Sequence, residues 1–536
     1  MIKKYNVVWT MVDSVRRYKT QGDDRSRLKA MDDFAKEAVE FKNCVTSAPS
    51  TVMSVSASMT SLPASHLGRN YDDFQFDNGY FATLPGILKN NGWETRRSFI
   101  MHRQIREKLR QFELVEKKYW PNDFSHSKWW CNDDINRLIH NTLDKDRDRT
   151  KPQFWFIDYN CRKDEYMSEI VQNTLDSLKD AGFTEDNTVF VLCSDHGYPD
   201  PSRGITPEYL SQKKLTHDIF MTDDNIMIPM ILKYPGCKKG QKIQDVVSSL
   251  DLMPTILNIL GISVSNDVSS RFHGINLLPL LNGKGGDIYK DRKIRSDARF
   301  IYQPGRVTAL RGQNYKYVLH QDDMHEEFVF VGDNEIDEPS VINSSNEEVQ
   351  RALLDFRKSF ELSEKKASEA QQEYAAYQLS QKIILASKKY EGDISILLVG
   401  EISEFLVSSI EKELLKNLSE NRIRVTFLKD LSNIPEDSFT IAAIFRKKYS
   451  SLKGENRIKA KAKLSLDAES LTSISNTQKN RVLRFFEHFK LIWRNIDFYV
   501  NEPYLFLYEP YEIFKRVFRI DYDYTQKKWT PRKYKK

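Results

Sequence analysis

The chain has 536 residues, of which 40% are hydrophobic and 12% aromatic, and its formal net charge is +6. A chain of this length folds into more than one domain, and its apolar content excludes an intrinsically disordered protein. With only 21 Gly and 18 Pro, it is neither a collagen nor another low-complexity fibre. No apolar stretch approaches the roughly 20 residues that a membrane-spanning helix requires.

The N-terminus and the cysteines together predict a cytoplasmic location. Lys3 and Lys4 lead directly into the strand-like sequence Asn6-Val7-Val8-Trp9, which leaves no apolar segment of the length that a signal peptide needs. The five cysteines are widely spaced and odd in number, and no two of them form a Cys-x-x-Cys pair. This spacing argues against a disulfide framework and against a structural zinc site.

Residues 1–262 alternate strand-like and helix-like segments, a pattern typical of an α/β domain around a mostly parallel sheet. The predicted strands are 6–12, 154–157, 188–193 and 228–233. The predicted helices are 26–40, 84–91, 165–181 and 252–260. In such sheets the chemistry lies at the carboxyl ends of the strands. Asp13 and Asp195 each come just after a predicted strand.

Beyond residue 262 the pattern changes. Short strand-like pieces at 299–302, 307–311, 316–320 and 327–331 predict a small antiparallel sheet. Residues 340–391 contain neither Gly nor Pro, which indicates long helices. Residues 393–450 predict a further α/β unit, and the remainder is predicted to be helical. We therefore expect four parts: an α/β domain (1–290), an antiparallel-sheet subdomain (291–362), a helical connector (363–392) and a C-terminal α/β and basic helical region (393–536).

The C-terminal region is basic and aromatic. Lys and Arg outnumber Asp and Glu by twelve in residues 441–536. Five aromatic residues lie among these charges: Trp493, Tyr499, Tyr504, Tyr508 and Tyr511. Such a tail is suited to bind an acidic partner or the inner membrane surface, and the alternative is that it packs against the rest of the protein. No motif specific for nucleic acid is found, and the lone Gly400 after a strand falls short of a dinucleotide-binding fingerprint.

The strongest chemical signal is Ser194-Asp195-His196-Gly197, which follows a buried strand. Because Asp supplies an oxygen ligand and His a nitrogen ligand, an adjacent pair at a strand end can bind one cation. Asp13 ends a second strand, and a hydroxyl-rich stretch at 47–61 contains Thr51. A hydroxyl becomes a nucleophile when metal coordination lowers its pKa. The alternatives are a turn at the Asp-His pair and a capped helix N-terminus at the hydroxyl-rich stretch.

These motifs resemble the sulfatase branch of the alkaline phosphatase superfamily over roughly residues 5–360. Five segments correspond to family motifs and occur in the family's order: 13–16, 48–54, 92–102, 194–197 and 251–262. The resemblance implies an α/β fold with an alkaline-phosphatase-like, mostly parallel sheet flanked by helices. It also implies a small antiparallel C-terminal subdomain, and it leaves residues 363–536 as an extra C-terminal α/β region.

The resemblance also implies roles for individual residues. Asp13, Asp195 and His196 fall on metal-ligand positions, and Thr51 falls on the nucleophile position, where it also contacts the metal. The implied cofactor is one divalent cation, and the oxygen and nitrogen ligands admit Mn²⁺, Mg²⁺, Ca²⁺ or Zn²⁺.

The resemblance also bears on two histidines and on whether a second metal ion binds. His217 and His102 match basic active-site residues of the family, and the alternative for His217 is a surface loop histidine. A second metal normally needs an Asp-x-x-x-His pair, but Asp158 is followed four residues later by Arg162. The sequence therefore predicts one metal site.

The nucleophile loop departs from the sulfatase pattern. In sulfatases a Cys or Ser at this position is oxidised to formylglycine, whereas this chain has Thr51, with Met53 for the family Pro and Val55 for the family Arg. Since Thr cannot give that aldehyde, the loop resembles phosphoryl-handling members such as phosphodiesterases and phosphoethanolamine or phosphoglycerol transferases. We predict a metal-dependent hydrolase or transferase that acts through Thr51 on phosphate or sulfate esters.

The predicted substrate is a small anionic ester, with a phosphorylated or sulfated saccharide or glycan precursor as the specific hypothesis. This hypothesis follows from the family resemblance alone. The alternative function is that of a catalytically silent protein, which keeps the fold and binds a glycan or protein partner.

Overall fold

The computed structural model describes residues 2–20, 25–67, 80–97, 113–114, 150–159, 167–213, 216–299, 306–321, 323–332, 336–390, 392–400, 402–418, 423–430, 438–446, 458–467, 520–523 and 528–531. The chain divides into two units, Met1–Thr472 and Ser473–Lys536. In the described part of the second unit, strands Ile520–Asp523 and Lys528–Pro531 form an antiparallel hairpin. No helix among the described residues has both the length and the apolar character needed to cross a bilayer.

An eight-stranded sheet lies at the centre of the first unit, with strand order β4-β3-β5-β1-β6-β7-β2-β8. Its strands are β1 (Asn6–Val12), β2 (Val39–Val45), β3 (Glu94–Arg97), β4 (Glu113–Leu114), β5 (Gln153–Tyr159), β6 (Thr188–Ser194), β7 (Met227–Lys233) and β8 (Gln241–Ser248). Among these strands β7 alone is antiparallel to both of its neighbours. The mostly parallel α/β sheet predicted from the sequence is confirmed.

Helices pack on both faces of this sheet. The helices of this part of the chain are α1 (Lys29–Ala35), α2 (Thr51–Thr60), α3 (Ala64–Leu67), α4 (Leu84–Asn90), α5 (Met167–Asp180), α6 (Pro207–Lys213), α7 (Asp223–Ile226), α8 (Leu252–Leu260), α9 (Asn266–Ser269) and α10 (Leu278–Leu281). Because side chains alternate along a strand, Trp9 and Met11 of β1 enter the core shared with α2, α4 and α8. Val8 and Val12 enter the opposite core, shared with α1 and α5.

A second, four-stranded antiparallel sheet follows, with strand order β12-β11-β10-β9. Its strands are β9 (Ile294–Arg299), β10 (Arg306–Arg311), β11 (Tyr315–His320) and β12 (His325–Phe330). The 41-residue helix α11 (Glu347–Ser387) packs on this sheet through Leu353, Phe356 and Phe360. Farther along, Leu379 and Ile383 of the same helix enter the core of a third sheet.

The third sheet is parallel, with strand order β14-β13-β15-β16. It comprises β13 (Ile394–Val399), β14 (Ile423–Leu428), β15 (Phe439–Arg446) and β16 (Ala460–Asp467), and helix α12 (Glu404–Asn417) packs on it. Strand β15 lies between β13 and β16, and its Ile441 and Ala443 are fully buried. Helix α11 therefore packs against both the antiparallel sheet and this α/β region.

Two predictions of local structure were wrong, and a third lies mostly outside the described residues. The helix predicted at 26–40 ends at Ala35, because the apolar Val39, Phe41 and Val45 form β2 between β7 and β8. A strand is found at Ile294–Arg299, and residues 300–302 of the strand predicted at 299–302 are outside the described part. The remainder after residue 450 is not wholly helical, since Ala460–Asp467 pairs with β15.

Candidate active site

The site is built at the carboxyl ends of β1 and β6. These strands are parallel neighbours, and Val12 pairs with Ser194, so that Asp13 and Asp195 leave the sheet side by side. The backbone N–H of Ser14 donates to Asp195 Oδ1 at 3.0 Å, and that of Val15 donates to the Ser194 hydroxyl at 3.0 Å. Each loop thus holds the other in place.

Thr51 reaches the same edge of the sheet from a third strand. Strands β2 and β6 run in the same direction because both are antiparallel to β7, which lies between them. The chain leaves β2 at Val45 and begins α2 at Thr51. The Thr51 hydroxyl donates to Asp13 Oδ1 at 3.2 Å and lies 3.3 Å from His196 Nε2. The hydroxyl therefore contacts two of the three predicted metal ligands.

Asp13, Asp195 and His196 form a group that fits a metal ion. One ligand atom from each residue lies within 4.8 Å of the others. Asp195 Oδ2 is buried and accepts no hydrogen bond from any described residue. A buried ionised oxygen without a donor is costly, and a cation bound there would remove that cost. The two carboxylates and one imidazole suit Mn²⁺, Mg²⁺, Ca²⁺ or Zn²⁺. Within the described residues no second such group is found.

The electrostatics of the cluster support this fit. Burial raises the pKa of Asp195, and the neighbouring Asp13 carboxylate adds to the rise. Burial also opposes ionisation of Asp13, but His196 and Arg25 outweigh it and lower the Asp13 pKa. Burial disfavours protonation of His196, yet the two carboxylates together raise its pKa. The buried Asp195 carboxylate and the partly buried Asp13 carboxylate beside it therefore depend on local positive charge.

His217 lies against this cluster. It begins a short turn of 3₁₀ helix, His217–Ile219, and its ring stacks on that of His196 with centroids 4.8 Å apart. On another side its ring centroid is 4.9 Å from that of Tyr198. Burial lowers the pKa of His217 to about 4, so the imidazole is neutral at neutral pH. The structure thus brings His217 to the site, whereas His102 and Arg162 lie outside the described residues.

Helix α7 holds both histidine-bearing segments. The carbonyl of Asn225 accepts from the Gly197 N–H at 2.8 Å, and the carbonyl of Asp224 accepts from the Tyr198 N–H at 3.1 Å. The Asn225 side-chain amide donates to the His217 carbonyl at 2.8 Å. Asn225 is fully buried. It therefore fixes the backbone next to His196 and that of His217 at the same time.

Asp223 anchors α7 to the antiparallel sheet. Its carboxylate accepts from Arg311 Nε at 2.9 Å and from Lys316 Nζ at 2.9 Å, and all three residues are buried. Lys316 also pairs with Glu338. The antiparallel subdomain is thereby connected to the loop that carries the candidate metal ligands.

Arg25 and Tyr198 also lie at the site, and neither was predicted from the sequence. Arg25 Nη1 lies 3.8 Å from Asp13 Oδ2, and its guanidinium carbon is 4.9 Å from the centroid of the Tyr198 ring. Tyr198 follows the Asp-His-Gly motif directly, which is a signal that could have found it. Arg25 lies in a charged segment with no distinctive spacing, and only the fold brings it to the site.

Comparisons with known proteins agree with this architecture. Residues 5–160 and 156–262 match the family model for sulfatases. Residues 214–356 match a model described as N-sulphoglucosamine sulphohydrolase, C-terminal. Arylsulfatase K of Canis lupus familiaris is 26% identical over 141 residues, which cover 25% of this chain and 24% of that relative. The chain therefore aligns with about a quarter of the length of this curated relative.

Solved structures share the fold. A 2-O GAG sulfatase superposes with a TM-score of 0.53 at 16% identity, over 68% of this chain and 93% of that chain. A phosphonate monoester hydrolase from Silicibacter pomeroyi superposes with a TM-score of 0.50 at 15% identity, over 67% of this chain and 95% of that chain. At these identities the similarity concerns the fold alone.

The two family models together span residues 5–356. This range includes the mostly parallel sheet, the antiparallel sheet, and Asp13, Asp195 and His196 at the carboxyl edge of the first sheet. This chain therefore belongs to the sulfatase family of the alkaline phosphatase-like superfamily.

Proposed function

We propose that this protein is a metal-dependent hydrolase or transferase of sulfate or phosphate esters, with Thr51 as its nucleophile. The observation that carries the proposal is the position of the Thr51 hydroxyl, 3.2 Å from Asp13 Oδ1 and 3.3 Å from His196 Nε2. Asp13, Asp195 and His196 are the residues that would hold the cation. When bound, the cation polarises the ester and lowers the pKa of the Thr51 hydroxyl.

Thr51 then acts as a covalent catalyst. Its hydroxyl loses a proton to solvent, and Oγ1 attacks sulfur or phosphorus in line with the leaving oxygen. The bond to Thr51 forms while the bond to the leaving alcohol breaks, and the leaving oxygen takes up a proton from water. Water gives hydrolysis when it releases the group from Thr51, and an acceptor hydroxyl gives transfer. Position 51 needs no oxidation for this route, which suits a threonine.

His217 would assist as a neutral group. Because burial lowers its pKa to about 4, the imidazole keeps one N–H that can donate to an oxygen of the transferring group. Its stacking on His196 at 4.8 Å directs it toward the site. This favours stabilisation of the transferring group over proton donation from a histidinium. His102 stays a candidate for the same task.

The proposed substrate is a small anionic ester linked to a saccharide. A relative that acts on GAG supports the saccharide, and a phosphonate monoester hydrolase with the same fold supports an ester of phosphorus as well as of sulfur. The absence of a Cys or Ser at position 51 favours the phosphorus ester.

Activity of three variants on aryl sulfates, aryl phosphates and aryl phosphodiesters tests this proposal. Thr51→Ala should lower turnover by about 10³-fold or more, because loss of a nucleophile removes the covalent route. Thr51→Ser should retain part of the activity. Ser56→Ala is the matched control, since its hydroxyl lies on the same helix and contacts no hydrogen-bond partner among the described residues. Near-full activity of Thr51→Ala would refute the covalent route. Inactivity of the metal-loaded wild-type protein on all three classes would favour the catalytically silent alternative.

A further inference from the structure

A stacked column of side chains runs from the candidate metal ligands to Arg25. His196 stacks on His217 with centroids 4.8 Å apart, His217 packs on Tyr198 at 4.9 Å, and the Arg25 guanidinium carbon lies 4.9 Å from the Tyr198 ring centroid. A cation over a tyrosine face is an attractive contact that also orients a planar guanidinium. Arg25 is therefore held in one place beside the site.

The backbone of Tyr198 is fixed at both of its polar groups. Its N–H donates to the Asp224 carbonyl at 3.1 Å, and its carbonyl accepts from Arg16 Nη1 at 3.1 Å. Arg16 is fully buried. The ring that supports Arg25 is thus built on a rigid turn, which pre-organises the guanidinium.

Arg25 and Thr51 approach different oxygens of the Asp13 carboxylate. Thr51 Oγ1 donates to Asp13 Oδ1 at 3.2 Å, whereas Arg25 Nη1 lies 3.8 Å from Asp13 Oδ2. The longer distance exceeds that of an N–H···O hydrogen bond, so these two atoms form an ion pair without a hydrogen bond between them. The Arg25 side chain is 18% exposed and can meet a ligand that enters from solvent.

The first turn of α2 supplies no cation to balance an anionic substrate. It contains Thr51, Val52, Met53 and Ser54, and Val55 is buried in the apolar core. Any cationic side chain that contacts a sulfate or phosphate group at Thr51, besides the proposed metal ion, must therefore come from another segment. A guanidinium is charged at every physiological pH and matches an oxyanion with paired donors.

We propose that Arg25 is a specificity-determining residue that binds the non-bridging oxygens of the sulfate or phosphate group held at Thr51. This inference rests on the proposed function and assigns the anion-binding role to a residue outside the family motifs of this chain. Inorganic sulfate and inorganic phosphate are the simplest probes, because they present the same oxygens without the alcohol.

Calorimetric titration of the full-length protein tests the role of Arg25. Each protein is first loaded with the divalent cation that raises its melting temperature most, and free cation is removed. Arg25→Ala should raise the Kd of at least one anion by roughly 10- to 100-fold, the range expected for a charge-assisted hydrogen-bond pair. The Kd of Arg25→Lys should lie between those of wild type and Arg25→Ala, because lysine keeps the charge and lacks the paired N–H donors of the guanidinium. Lys19→Ala is the control, since it removes a positive charge from an exposed ion pair with Asp32, and its Kd should stay within about twofold of wild type.

The anion affinities of the wild-type and variant proteins decide whether Arg25 binds the substrate anion. A metal-loaded Arg25→Ala protein that binds both anions as tightly as wild type would refute this role, and so would a wild-type protein that binds neither anion. If Arg25 only supports Asp13, the variant should lose cation affinity while the anion Kd of the loaded protein is unchanged. If Arg25→Ala fails to fold, the same titration is done with Arg25→Gln, which removes the charge and keeps a long polar side chain. Retained turnover in Thr51→Ala would refute the role of Thr51 as nucleophile. It would leave the role of Arg25 untouched, because the anion Kd does not depend on the nucleophile.

Discussion

Gly197 lies so close to Asp224 that a Cβ at position 197 would be 1.9 Å from the Asp224 carbonyl oxygen. The contact is to backbone, so no side-chain rotation can relieve it. The Gly197 N–H donates to the next carbonyl, that of Asn225, at 2.8 Å. The absence of a side chain at position 197 is therefore what lets the Asp195-His196 loop lie directly on α7.

Gly197→Ala should destabilise the protein and misplace His196. Overpacking of this kind costs about 1–3 kcal/mol or more, and the shift required would separate His196 from Thr51. We expect a lower melting temperature and a weaker response to added cation. Gly286→Ala is the control, because a Cβ there would meet nothing within 4 Å. Equal melting temperatures and equal cation responses in the two variants would contradict the close approach.

Asp223 should make stability depend on pH at the acid end. Burial opposes its ionisation, but Arg311 and Lys316 outweigh that effect and hold the pKa of Asp223 well below its ordinary value of 3.8. Since the folded-state pKa is depressed, the stabilisation is complete above the unfolded pKa and is lost as pH falls below about 4. The stability difference between wild type and Asp223→Asn should be constant near neutrality and shrink below that pH.

The expected loss of stability in Asp223→Asn is about 3–5 kcal/mol at neutral pH, because it leaves the buried Arg311 without its carboxylate and leaves Lys316 with Glu338 alone. Urea unfolding across a pH series measures it. Asp287→Asn, at a carboxylate that is 99% exposed, should change little at any pH. A constant difference between wild type and Asp223→Asn down to strongly acidic pH would show that Asp223 is not ionised in the fold.

Asp195→Asn should separate two contributions to stability: the destabilisation by the buried Asp195 charge without metal, and the stabilisation when a cation binds. In chelator the variant should be as stable as wild type or more stable, because it removes a buried charge whose Oδ2 accepts no hydrogen bond from the described residues. With cation at about 100 times its Kd, wild type should gain about 2.7 kcal/mol, and the variant should gain far less. Melting curves with and without Mn²⁺, Mg²⁺, Ca²⁺ and Zn²⁺ measure this.

The control for that series is Asp158→Asn. Asp158 is also buried at the end of a strand, but it lies outside the three-residue cluster. Its variant should keep the cation-induced rise in melting temperature, even if its baseline stability changes. Loss of the rise in Asp158→Asn and its retention in Asp195→Asn would place the metal elsewhere.

Much of the fold was predictable because its strands are apolar and its helices end at glycines. Thr188–Ser194 is buried throughout, and Leu252–Leu260 ends at Gly261 in a left-handed conformation. By contrast Gln241–Ser248, at the edge of the first sheet, has Ile243, Val246 and Val247 as its apolar residues and no regular alternation. Ala460–Asp467, at the edge of the third sheet, begins with Ala-Lys-Ala-Lys. Such edge strands carry a weak hydrophobic signal, and long-range pairing decides their structure.

The candidate site was predictable only where a metal-ligating side chain comes within a few residues of the end of a strand. Asp13 and Asp195 could be paired from sequence, because parallel neighbouring strands end at the same edge. Arg25, Tyr198 and Asn225 contribute through contacts between distant segments, such as the Asn225 amide with the His217 carbonyl. No local spacing encodes these contacts, and only the tertiary structure reveals them.

Two C-terminal deletions should behave differently. Removal of residues 441–536 cuts through β15, whose Ile441 and Ala443 are fully buried in the third sheet, so that the truncated protein should precipitate or expose its core. Removal of 473–536 takes away the second unit alone and should leave a soluble first unit that binds cation. Solubility and melting curves measure this. Insolubility of the shorter deletion would remove support for recruitment of an acidic partner by the basic tail, which stays a prediction, as does the cytoplasmic location.

During turnover Thr51 should form a covalent ester at the Asp13–Asp195–His196 cluster. The most direct measurement is acid quenching of the metal-loaded enzyme during turnover of an aryl ester, followed by mass spectrometry of the intact protein and its peptides. We predict a mass increase of one phosphoryl or sulfuryl group on the peptide that contains Thr51, absent from Thr51→Ala and present in Ser56→Ala. Turnover without any such adduct in a rapid-quench series, or an adduct on another residue, would show that Thr51 is not the nucleophile.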